Sequence, residues 1–237
     1  MFNLWKPDIW KNQTEHHFEH PWRETLWVLI AALLTIGIGQ LYTHQMLLPE
    51  GSVTQSPIAG SVNQIIIFSP FFLLLLVRRQ PLSTAWLPGN SIVMRLLIGL
   101  ALALCSIITF LLIRQPQTPL RDVLWNVYNL KNVGYAVQIF FEDVAIAMLF
   151  VRLQSAIGEK WFLAIVLSVA FLFSASHYPL HLSDGLSFLA ATREVIINAV
   201  LVSAVIYVVQ RSQDILWFWS IHFAMDMMQF YGGSLTA

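Results

Sequence analysis

Five acidic and histidine side chains sit on three apolar segments of this 237-residue chain, or at their ends, where they could converge: Glu142, Asp143, His177, His222 and Asp226. Placing an acid inside a membrane span costs roughly 2.5 to 3.5 kcal/mol, so such a residue faces a bundle interior and has a partner or a task. His222 and Asp226 are four apart, about 40° around a helix, so both can point into one cavity. Phe173 and His177 have the same spacing, and Ser174, Ala175 and Ser176 between them let a neighbouring helix come close. Glu142 and Asp143 are about 100° apart on a helix, so one can face a cavity while the other turns toward a neighbour. The spacing leaves open which.

A carboxylate and an imidazole in a poorly solvated pocket can together act as general base on a water molecule. A second imidazole, with an acid one turn away, can donate hydrogen bonds to the oxyanion formed by attack on a carbonyl. That combination is the chemistry of peptide-bond hydrolysis without a covalent intermediate. Asp226 can serve an oxyanion only when protonated, because an ionised acid has no hydrogen to donate; alternatively it orients His222. The chain has no His-Glu-x-x-His, Gly-x-Ser-Gly or Gly-x-Gly-Asp motif, which removes the usual zinc, serine and aspartyl intramembrane signatures. Glu142, His177, His222 and Asp226 are also credible zinc ligands, although no metal or other cofactor is required by the glutamate chemistry.

Phe141-Glu142-Asp143, then Phe173-x-x-x-His177, then His222-x-x-x-Asp226, in order on three apolar segments, resemble the motifs of the CPBP intramembrane endopeptidases. That family includes CAAX prenyl proteases and bacterial bacteriocin-processing or immunity proteins. The resemblance covers Phe141 to Phe230. It implies that Glu142 and His177 activate water, that His222 and Asp226 stabilise the oxyanion, and that Phe173 packs beside the site with Asp143 in support. The family's first motif carries an arginine four residues after its second acid, where this chain has Ala147, and that second acid is Asp143 rather than glutamate. Arg152 lies ten residues past Glu142, about 15 Å along the helix axis and roughly 80° off its face.

These residues need an apolar scaffold to hold them, and the composition supplies one. Hydrophobic residues make up 57% of the chain and charged ones 11%, far below the roughly 25% of a soluble domain. Seven spans of about 20 residues would occupy some three-fifths of the sequence. The expected fold class is therefore all-α, a polytopic transmembrane bundle of about seven spans (six to eight) with its site among the C-terminal helices. Apolar segments run at Leu26–Gln45, Val62–Val77, Ile92–Ile113, Val133–Val151, Trp161–Ala175, Val195–Val209 and Ile215–Phe230. Leu47–Ser61, Arg78–Asn90 and Tyr178–Ala191 read as loops. The stretch from Gln115 to Asn132 reads as an interfacial amphipathic helix or an early start to the fourth span.

The domain reading is a tail over 1–25 and a membrane domain over 26–237, with 133–230 as its catalytic region. The tail has no apolar core followed by a small-residue cleavage site, so it is expected to be retained. Trp5, Trp10, Trp22 and Trp27 read as interfacial anchors, and His16, His17 and His20 as a solvated tail. Nine basic residues on one side against four on the other favour a cytoplasmic N-terminus, in a membrane such as the bacterial inner membrane. Thirteen basic and thirteen acidic residues cancel, which argues against nucleic acid as a partner. The expected partners are the lipid bilayer and a membrane-associated protein or peptide substrate. Cys105, the only cysteine, has no intrachain partner for a disulfide. Two other function classes share the same residues: an inactive relative acting as immunity or scaffold protein, and a transporter or proton relay, which the lack of repeated halves disfavours.

Overall fold

The computed structural model describes residues 18–43, 57–87, 89–114, 117–183 and 185–232, and all regular structure among them is helical. In chain order the helices are α1 (Pro21–Thr43), α2 (Pro57–Ile67), α3 (Ser69–Val77), α4 (Ile92–Arg114), α5 (Leu120–Val127), α6 (Val133–Ile157), α7 (Phe162–Ser176), α8 (Tyr178–Ser183), α9 (Phe188–Val209) and α10 (Ile215–Gly232). Among the described residues four stretches, Pro21–Leu41, Ile92–Ile113, Glu159–Ser183 and Phe188–Val209, are long and apolar enough to cross a membrane, and the bent pair α2–α3 can make a fifth. Leu33, Leu76, Leu112 and Leu189 stand exposed on the outside of the bundle. Length, composition and this apolar exterior fit a polytopic helical membrane protein.

Each apolar segment expected from the sequence maps onto helical structure, and the changes lie in the connections. Val62–Val77 is two helices meeting at 51°. Pro70 has no N–H to offer the carbonyl of Ile66; the Ser69 hydroxyl donates to that carbonyl instead, at 2.8 Å, and the chain turns there. Pro57–Ser61, expected in a loop, is the first part of α2, while residues 47–56 of that expected loop lie outside the described residues. Tyr178–Ala191, also expected as a loop, holds α8 and the start of α9. Of the two readings of Gln115–Asn132, the separate short helix is the one formed: α5 buries Val123 and Val127 and exposes Trp125. His16, His17, Trp5 and Trp10 lie outside the described residues, and α1 begins at Pro21 rather than Leu26.

Helix α6 is the centre of the bundle, buried at nearly every position from Ile139 to Leu153 and packed against α1, α2, α7 and α10. Its far end is held by a polar knot. Glu24 Oε1 accepts from Arg78 Nη2 at 2.5 Å and Glu24 Oε2 from Gln80 Nε2 at 2.7 Å. The Gln80 carbonyl oxygen accepts from the Arg152 guanidinium, which also donates to the carbonyl of Met148 at 2.8 Å. The Phe18 ring, expected to be part of a solvated tail, lies 5.1 Å from the same guanidinium. Beside this knot Arg95 donates to Asp214 at 2.5 Å, and the second oxygen of Asp214 accepts from the backbone N–H of Leu216 at 3.0 Å. That pair ties the beginnings of α4 and α10 together, so the two helices run parallel.

Glycine permits their approach. A Cβ on Gly99 would lie 2.7 Å from Trp217 Cα and 2.7 Å from Ser220 Oγ, so the α4 backbone rides directly on α10. Gly99→Ala is expected to cost about 1 to 3 kcal/mol, read as a lower thermal midpoint of the purified protein in detergent. Gly37→Ala, whose Cβ meets nothing within 4 Å, serves as control and should leave the midpoint unchanged; equal midpoints for the two variants would refute the contact.

Candidate active site

The site is built where the middle of α6 meets the middle of α10. Asp143 is fully buried, and its Oδ1 lies 2.8 Å from Nδ1 of His222. On its other side the imidazole Nε2 is 3.6 Å from Asp226 Oδ2, one turn further along α10. The ring is fixed in its plane by Phe218, one turn earlier, stacked at 5.5 Å and 15°. His222 is thus held between two carboxyl groups, with Nδ1–H donating to Asp143 and Nε2 facing Asp226. The second oxygen of Asp143 is buried without a hydrogen-bond partner among the described residues, which leaves it able to accept a further hydrogen bond.

Glu142 is also buried, and its Oε1 accepts from Gln138 Nε2 at 2.8 Å. It stands close to both Asp143 and His222. The division of labour within the double acid follows from helix geometry: Asp143 turns to α10 and Glu142, about 100° away, does not.

His177 owes its orientation to a helix break. Pro179 has no N–H for the carbonyl of Ala175, the turn tightens, and the backbone N–H of His177 bonds Ser174 O at 3.2 Å. The carbonyl of Phe173 is left for side chains. It accepts from Ser176 Oγ at 2.6 Å and from His177 Nδ1 at 3.0 Å. A proton on Nδ1 leaves Nε2 as the free acceptor of the neutral ring. Phe173 packs on this imidazole edge-on, with ring centres 4.9 Å apart. His177 approaches Asp226 of α10. No hydrogen bond joins Glu142 to His177 among the described residues.

Sequence reasoning passed over Gln138 and Phe218, yet each stands four residues before a named site residue, and that spacing was the signal. The backbone N–H of His181 donates to the His177 carbonyl at 3.1 Å, while its side chain makes no hydrogen bond to the site and its Nε2 is buried without a partner among the described residues. Among the described residues, no three His, Cys, Asp or Glu side chains form a group that can hold a metal ion. Ala147, at the position of the motif arginine, is fully buried in the apolar core. Arg152 is committed to the knot at the other end of α6 and does not reach the site.

No family model, curated protein or solved structure matches the chain.

Asp143→Asn is expected to move the His222 ring-proton resonance in the purified protein, because it alters the group bonded to Nδ1. Arg152→Met should leave that resonance in place while lowering the thermal midpoint, since it strands the Gln80 and Met148 carbonyl oxygens and a buried acceptor left unsatisfied costs about 1 to 3 kcal/mol. A His222 resonance that responds to Arg152→Met would tie the arginine to the site after all.

Proposed function

We propose that the chain is an intramembrane endopeptidase of the CPBP type, hydrolysing a peptide bond in a membrane-associated polypeptide. The observation that carries this reading is the buried Asp143–His222 pair on α6 and α10, with Glu142 and Asp226 flanking it. Glu142 and His177 share a water molecule: Glu142 takes one proton while His177 Nε2 accepts the hydrogen bond that orients the other. Water oxygen bonds the carbonyl carbon, and the carbonyl oxygen becomes an oxyanion. His222, protonated on both nitrogens, donates Nδ1–H to Asp143 and Nε2–H to that oxyanion. Glu142 then passes its proton to the departing amine as the C–N bond breaks. Asp226, 3.6 Å from Nε2, keeps His222 charged or, when protonated, adds a second donor.

In this reading the seven apolar segments are seven spans in a bacterial inner membrane, with the N-terminus cytoplasmic. The knot of Glu24, Arg78 and Arg152 then lies toward the cytoplasm. Asp143 sits nine residues from Arg152, about 14 Å along α6, in the outer half of the bilayer. A second reading, an inactive relative that binds a partner as immunity or scaffold protein, is favoured by Ala147 and by the commitment of Arg152 elsewhere.

The two part in one measurement. N-terminal peptides of membrane proteins are compared between cells expressing the wild type and Glu142→Gln, His177→Ala or His222→Ala. Peptidase activity predicts termini present with the wild type and depleted about 100-fold or more in each variant. Identical sets of termini, with biological function retained, decide for the inactive relative.

A further inference from the structure

Helix α2 is inside out by the standards of a soluble helix. Ile58, Val62, Ile65 and Ile66 are exposed, and the residue it buries is Asn63, only 4% exposed. No hydrogen bond reaches the Asn63 carboxamide among the described residues. Asn63 is not among the fully enclosed side-chain groups that lack a partner, so its carboxamide stays within reach of a bound group, and a largely buried amide nearly always has one. The position of Asn63 says what could supply it.

Helices α2 and α6 run side by side in the same direction. Gly60 backs onto Gly134, where a Cβ would lie 3.3 Å from Gly60 Cα, and further along the Phe68 and Phe141 rings are 5.7 Å apart. Counted around α6 from Gly134, Phe141 falls at about −20°, Gln138 at +40°, Glu142 at +80° and Asp143 at 180°. Asp143 therefore faces away from α2, and Gln138 borders the seam. Asn63 lies about 4.5 Å beyond Gly60 and Gln138 about 6 Å beyond Gly134, at one level of the bundle. The Gln138 NH₂ is bonded to Glu142, while its carbonyl oxygen has no partner among the described residues.

We infer that Asn63 and Gln138 form a binding strip for the substrate's peptide backbone, holding an extended segment alongside Glu142. This rests on the peptidase reading. An extended peptide offers N–H and C=O groups along its edge, and a primary carboxamide can donate to one and accept from the other. The Gln138 carbonyl supplies a further acceptor next to the Glu142 carboxylate. Backbone recognition of this kind fits sequence-tolerant cleavage, because it reads no side chain. Both residues are positioning residues rather than catalytic ones.

The test uses the full-length protein and a synthetic peptide spanning a bond whose cleavage in cells depends on Glu142. Asn63→Leu should raise KM about tenfold with kcat within about twofold, and Asn63→Gln should recover at least part of the loss. Methylating the backbone nitrogens of the peptide one at a time should raise KM for the wild type at one position, and that sensitivity should vanish in Asn63→Leu. Unchanged KM in a folded Asn63→Leu, or equal losses in the Leu and Gln variants, overturns the strip and leaves the peptidase reading standing. If Asn63→Leu does not fold, the wild-type methylation series decides: no sensitive position overturns the strip. Absence of any Glu142-dependent cleavage overturns the peptidase reading and the strip together.

Discussion

The hydrogen bond between Asp143 and His222 depends on two helices whose polar faces meet in an otherwise apolar bundle, and the remainder of the fold is arranged to keep them there. Neither residue is tolerable alone at that depth, since an unpaired buried carboxyl or imidazole costs more than its hydrogen bond returns. Helix α10 is held from behind by α4, through the Gly99 crossing and the Arg95–Asp214 pair at their common end. Helix α6 is held by the Gly60–Gly134 contact with α2 and by the Arg152 knot. A shift of either helix by a fraction of a turn would separate Nδ1 from Oδ1, so these distant contacts bear on the site without touching it.

Proline contributes to this precision in a way that raw propensity would not suggest. Pro70 and Pro179 each remove a backbone donor, and in each case a nearby side chain takes up a carbonyl released by the break. At Pro70 that side chain is the Ser69 hydroxyl. At Pro179 the Ser176 hydroxyl and His177 imidazole share the Phe173 carbonyl. The second break fixes which nitrogen of His177 is free. A continuous helix would have used the Phe173 carbonyl for its own backbone ladder and left the imidazole to rotate.

Much of this was legible in the residues. Apolar run length located the helices, and intramembrane depth singled out Glu142, Asp143, His222 and Asp226. What the sequence withheld was relative rotation. The adjacent acids were known to point about 100° apart, but only the packing of α10 against α6 shows that Asp143 rather than Glu142 holds His222. The loops were misread for a related reason. Pro57 and Pro179 look like punctuation in a linear reading, whereas each stands in the first turn of a helix, where its missing N–H costs nothing. The solvated tail failed at Phe18, because its aromatic ring finds the one buried guanidinium of α6.

Arg152 shows why a motif cannot be repaired by a nearby residue of the same type. Its guanidinium serves Gln80, Thr84 and the carbonyl of Met148, and drawing it toward Asp143 would strand Gln80 and leave the Glu24 knot short of a donor. The helix has two polar stations about 14 Å apart, one cationic and one anionic, each neutralised by its own partners. The vacancy at Ala147 lies between them, filled by core packing. An arginine introduced there would need a carboxylate to meet it, and Asp143, one turn away, already gives one oxygen to His222. Its Oδ2, unpaired among the described residues, is the one oxygen of that carboxyl left for such an arginine, a water or a neighbouring polar group to bond.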